Sequence, residues 1–118
     1  SFNVPNAGTV YGNTYAPVCW DIVNEDESEI GEGEFQMANY TTGRMISFSQ
    51  AIPAGYTLRI DRPNMKALLG TGSNYEDVTI SISGDEDWCA VLGGAQNRID
   101  VIGMVDGEIS YSYRGRFA

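Results

Sequence analysis

The chain has 118 residues, and its 42 % apolar fraction suffices for one globular core, while no apolar run approaches the roughly 20 residues of a membrane span. Seven Lys and Arg stand against 16 Asp and Glu, a net charge of −9 that repels nucleic-acid phosphate and anionic lipid, so neither is an expected partner. There is no His, which excludes His-based triads, His-ligated zinc and imidazole acid–base catalysis.

Residues 1–16 are polar and rich in Gly and Asn, with Phe2 and Val4 as isolated apolar side chains. This composition predicts an extended N-terminal arm that gains order by lying on a neighbouring copy, ahead of a single domain over 17–118. Ser1 is compatible with signal-peptide cleavage and with removal of Met alike. From residue 14 onward the apolar pattern has period two, punctuated by Gly, Asn and Pro, as strands require. The predicted strands are 14–23, 34–40, 44–50, 55–61, 77–83, 87–92, 98–105 and 107–114. Thr41-Thr42-Gly43 supplies a turn between the second and third.

One segment departs from period two. DRPNMKALLG, residues 61–70, has a capping Asp61, Pro63 near a first turn and Gly70 as a stop, and predicts one short helical turn. GTGSN, residues 70–74, is Gly-rich but carries no Lys, and reads as a turn rather than a phosphate loop. RIDVIGMV, residues 98–105, is apolar on both faces and predicts a central strand. Asp106-Gly107 accepts the positive φ of a type I′ turn, so 98–105 and 107–114 are expected to pair as a hairpin. About eight short strands with turns every ten residues or so indicate an all-β, antiparallel β-sandwich or jelly roll, with a barrel as the alternative.

The only two cysteines sit in PVCWDIV and EDWCAVL, each beside one of the two tryptophans, in mirrored order. Antiparallel pairing of Cys19 opposite Cys89 would set Trp20 opposite Trp88, and a disulfide closing so long a loop adds roughly 4 kcal/mol in the chain-entropy model. The same register sets Asp21 against Asp87, an unfavourable like-charge pair. The alternative is two buried thiols acting as small hydrophobes.

Without His, only carboxylates such as Asp21, Asp85 and Asp87 could be catalytic, in a glycosidase-type pair. Acidic turns on a solvated surface explain them more simply, so no enzyme is expected. NEDESEIGEGE, residues 24–34, is rich in oxygen ligands, but an EF-hand register would put Glu29 where Gly belongs and Phe35 where Glu belongs. No metal site and no cofactor are expected. Tyr11, Tyr15, Tyr40 and Tyr75 lie in or beside turns, where an aromatic ring could stack on a sugar. Asn39-Tyr40-Thr41 is a glycosylation sequon.

These features favour a non-enzymatic structural subunit of a surface assembly, either a virion capsid decoration protein or an extracellular filament subunit. Its partners would be copies of itself or a larger protein lattice. Phe2, Val4, Arg114 and Arg116 are the expected assembly contacts, the two arginines opposite in charge to the 24–34 run. A carbohydrate-binding or adhesive module is the alternative.

Overall fold

The structure, a computed structural model, describes residues 2–4, 15–16, 18–84, 91–92, 97–104 and 107–113. In chain order the strands are β1 (Phe2–Val4), β2 (Tyr15–Ala16), β3 (Val18–Asn24), β4 (Phe35–Asn39), β5 (Arg44–Phe48), β6 (Thr57–Asp61), β7 (Lys66–Thr71), β8 (Asn74–Asp77), β9 (Ile82–Gly84), β10 (Val91–Leu92), β11 (Asn97–Ile102) and β12 (Gly107–Tyr113). One five-stranded sheet runs β1-β11-β4-β5-β9 and a second runs β12-β3-β6-β7-β8, all antiparallel; β2 and β10 form a separate short pair. The two large sheets pack together as a β-sandwich.

Alternation along each strand explains the layering. Val18, Trp20 and Ile22 of β3 point inward with Leu58 and Ile60 of β6, and meet Phe35, Met37, Ile46, Phe48 and Ile99 from the other sheet, all fully or almost fully buried. Each such aliphatic or aromatic side chain contributes about 1.5–3 kcal/mol on burial, so this layer dominates the stability. Cys19, Asp21 and Val23 alternate onto the outer face. There Asp21 faces Arg59 across the β3–β6 ladder, Oδ1 accepting from Nε at 2.7 Å and Oδ2 from Nη2 at 3.3 Å. Such an exposed pair contributes only about 0–1 kcal/mol. It fixes register more than it stabilises.

Several expectations are corrected. Residues 61–70 form a β-hairpin, not a helical turn. Asp61 does accept from the Asn64 backbone N–H (3.3 Å) and side-chain amide (2.8 Å), but Met65 takes a left-handed φ of 54° and the chain reverses. Lys66–Thr71 then pairs with β6, placing Ala67 opposite Ile60 and Leu69 opposite Leu58. A lone short helix nucleates poorly in water, whereas the strand completes the core face. The one helical turn among the described residues is the 3-10 turn Thr79–Ser81, which interrupts the strand expected over 77–83.

The final hairpin is also absent. β11 lies between β1 and β4, a central position as expected, while β12 pairs with β3 in the opposite sheet. The crossing begins at Gly103, whose φ of 94° carries the backbone over the Glu34 carbonyl so closely that a Cβ would overlap it. The predicted Cys19 register is overturned too: β3 is flanked by β12 and β6, with Cys19 opposite Ser112 and Asp61. The two cysteine-bearing segments meet one step earlier, where Ala16 pairs with Val91; the expected register would have set Leu92 there. Finally, two open sheets exclude the barrel alternative.

Candidate functional site

Two features of the second sheet stand out, one at each edge. At the β12 edge the backbone itself is the feature. The Asn24 N–H donates to the Tyr56 carbonyl (2.9 Å) and the Arg62 N–H to the Val18 carbonyl (3.4 Å), so the even-numbered residues of β3 turn their backbone groups toward β6. Direction alternates along a strand, hence Cys19, Asp21 and Val23 face β12 and engage Ser112, Ser110 and Glu108. Gly107, Ile109, Tyr111 and Tyr113 therefore direct their N–H and C=O groups away from the sheet. Among the described residues no strand pairs with that side. Over its seven residues, GEISYSY, the strand has a single charge, Glu108, and no Pro or Lys.

At the β8 edge the feature is a cleft of about 770 Å³ opening beside the sandwich. Its apolar lining comes from Tyr56, Leu69 and Pro53, the first two half-buried against the core. Gln50, Asn74, Glu76 and Glu32 supply polar lining. Gln50 is steadied by donating from Nε2 to the Ser81 hydroxyl at 2.7 Å. β8 is held close by Gly70, opposite Tyr75, where a Cβ would overlap the Asn74 carbonyl and lie 2.7 Å from the Tyr75 Cα.

The loop bordering this cleft hangs on Asn24, fully buried at the end of β3. Its amide donates to the Ser28 carbonyl (3.1 Å) and the Ile52 carbonyl (3.0 Å), its Oδ1 accepts from the Asp26 N–H (3.2 Å), and an Ile30–Ile52 bridge closes the loop. The acidic run is thus a tethered loop: Glu25, Glu27, Glu29 and Glu32 are exposed, while the carboxylates of Asp26 and Glu34 bend back to accept the Glu27 and Gly31 N–H groups. Among the described residues no three His, Cys, Asp or Glu side chains converge on a metal-sized site.

The sequence-derived candidates are scattered. Tyr75 lines the cleft and is partly exposed. Tyr40 lies elsewhere, on the β4–β5 turn, 58 % exposed, with the Arg98 guanidinium 5.5 Å from its ring centre. Tyr15 is in β2, and Phe2 and Val4 are in β1, seated in the chain's own sheet opposite Ile99 and Asn97. Tyr11, Cys89, Trp88, Asp85, Asp87, Arg114 and Arg116 lie outside the described residues, as does most of the expected arm. Cys19 is a free thiol. Its pKa is raised by burial and then by the neighbouring carboxylates of Asp61 and Asp21, with Arg59 opposing, so at neutral pH it is a thiol rather than a nucleophilic thiolate.

No family model, no curated protein and no solved structure matches the chain. The site rests on its own geometry. Sequence reading missed Tyr56, Gln50, Glu76 and the β12 edge. Tyr56 follows Gly55 and could have been grouped with the turn tyrosines; an edge has no residue signature, because it depends on which strand lies beside which.

Proposed function

We propose that this protein is a non-enzymatic structural subunit that associates with copies of itself by edge-to-edge pairing of β12, as the unit of a surface assembly outside the cell or on a virion. The observation that carries this reading is the long, sparsely charged edge with four residues of outward backbone groups, the kind of edge that monomeric proteins shorten, charge or cover. Antiparallel pairing about a two-fold axis at Ser110 matches all seven residues. Ile109 then bonds Tyr111 of the copy, Gly107 bonds Tyr113, and Glu108 faces Ser112 rather than its own counterpart. No like charges oppose one another across the joint. Contacts beyond the pair would fall to the residues singled out by the sequence, Phe2, Val4, Arg114 and Arg116.

Net charge sets the conditions. Two copies at −9 repel at long range, and salt at physiological strength confines that repulsion to about 8 Å. Association should therefore strengthen as salt is added. Sedimentation velocity over a wide concentration range tests the proposal: dimers or larger species are expected, and Ser110→Lys, which brings two ammonium groups face to face, should give monomers. An equimolar mixture of Ser110→Lys and Ser110→Glu chains should restore pairing. A wild-type chain that stays monomeric at high salt and high concentration refutes it.

A further inference from the structure

We infer that the cleft at the β8 edge is a binding site for an uncharged oligosaccharide. Its size falls within the range of small-ligand sites, about 300–1,000 Å³. Its lining has the two kinds of surface that a pyranose presents in complement. The half-buried Tyr56, with Leu69 and Pro53, offers an apolar patch for the C–H face of the ring. Glu32, Asn74 and Glu76 make no side-chain hydrogen bond or ion pair with any described residue, so their oxygens and amide are uncommitted and available to hydroxyl groups. Gln50 is held through one amide hydrogen by Ser81, which orients its remaining groups before any ligand arrives. Holding a polar group in place beforehand removes part of the ordering cost of binding.

Charge selects among saccharides. Among the described residues no Lys or Arg lines the cleft, and two carboxylates do. An acidic sugar would bring a carboxylate beside Glu32 and Glu76 with no cation to offset it, whereas an uncharged sugar donates hydroxyl protons to both. A purely apolar ligand would strip water from Glu32, Asn74 and Glu76 and leave them unpaired, which is unfavourable. The site stands apart from the β12 edge, at the other side of the same sheet, so occupancy and self-association are separable.

The test titrates the full chain with tetrasaccharides of glucose, galactose and N-acetylglucosamine, and with tetragalacturonate as the acidic control, following amide shifts of Asn74, Tyr75 and Glu76 by NMR. Saturable shifts with at least one uncharged oligomer are expected, with dissociation constants in the range of about 0.1–10 mM. Gln50→Ala and Asn74→Ala should each weaken binding about five- to tenfold; Asn74→Ala, an exposed side chain without a fold contact, should keep the melting temperature, whereas Gln50→Ala also gives up the bond to Ser81 and should lower it slightly. Glu32→Lys with Glu76→Lys should turn the preference toward tetragalacturonate. The same titration on Ser110→Lys should give the same constants, which separates this site from self-association. The inference is overturned if none of the uncharged oligomers saturates, if Gln50→Ala and Asn74→Ala bind like the wild type, or if tetragalacturonate binds the wild type as well as the uncharged sugars do. Release of new reducing ends would also overturn it, because the site would then be catalytic.

Discussion

The two edges of the β12-β3-β6-β7-β8 sheet solve the same problem in opposite ways. β8 is four residues long, carries Glu76 and Asp77, and is stopped at once by the Thr79–Ser81 turn, so another strand has little to pair with and meets negative charge if it tries. β12 is nearly twice as long and has one carboxylate. Both edges belong to one sheet and share one core, so overall stability cannot account for the difference. Among the described residues edge protection falls on one side only, and under the proposed function the other side is where a second chain is admitted.

The largest effect should come from removing the protected edge. Gly70→Val drives a side chain into the Asn74 carbonyl and Tyr75 Cα, and should detach β8 at a cost of about 3 kcal/mol, read as a lower midpoint in urea. It would also expose β7, whose Ala-Leu-Leu-Gly run is uncharged, and light scattering should then report species larger than those of the wild type at the same concentration.

Next in size is the open edge itself. Ser110→Lys should weaken self-association at least about tenfold, near 1.4 kcal/mol, while the isolated domain shifts within about 0.5 kcal/mol because residue 110 is exposed. If the variant melts much earlier, the outward alternation of Ser110 is wrong and the joint must be redrawn.

A smaller change would make the edges alike. Glu76→Thr removes one guarding charge from β8 and should add a weak population larger than a dimer, visible by sedimentation only at high concentration. An unchanged distribution would assign the protection to strand length alone.

The subtlest effect concerns the stop after β8. The Asp77 carboxylate accepts from the Thr79 hydroxyl (2.6 Å) and the Thr79 N–H (2.9 Å), and these bonds lower its pKa, the hydroxyl most. Because the folded value is depressed, the turn gains stability above the ordinary carboxylate range and loses it as pH falls through the lowered value. The Thr79 amide resonance should move in that acidic window, and Asp77→Asn should abolish the titration.

Much of the layering was legible beforehand. The alternation in VCWDIVN marks its two faces and Gly43 marks a hairpin turn; RIDVIGMV does take a central place, although Arg98 and Ile102 stand exposed on one of its faces. What misled was local chemistry acting alone. Asp61 and Pro63 begin a helix and a tight turn equally well, and only the inward fit of Ala67 and Leu69 against Ile60 and Leu58 decides. Asp106-Gly107 suits a hairpin, yet Gly103 had already turned the chain toward the other sheet. Asn24 reads in the sequence as the start of an acidic loop, whereas its buried amide holds that loop down. The cleft was half visible, through Tyr75, because its other walls come from segments distant in sequence.

The sequon at Asn39 has a consequence in time. In the folded chain Asn39 is fully buried and its Oδ1 accepts the Thr41 N–H at 3.0 Å, so no enzyme can reach it. A two-stranded hairpin is marginal by itself, however, and this one is closed over by β11, where the Tyr40 N–H meets the Arg98 carbonyl and the Arg98 N–H meets the Thr41 hydroxyl. Ribosomes deliver that partner, some 60 residues later, after roughly 3–12 s at about 5–20 residues per second. In a eukaryotic secretory host the asparagine would be open for those seconds and sealed afterwards. A sugar found on Asn39 would then work as a stopwatch mark: it would identify the chains in which modification outran the docking of β11, and those chains could not close the sheet around it.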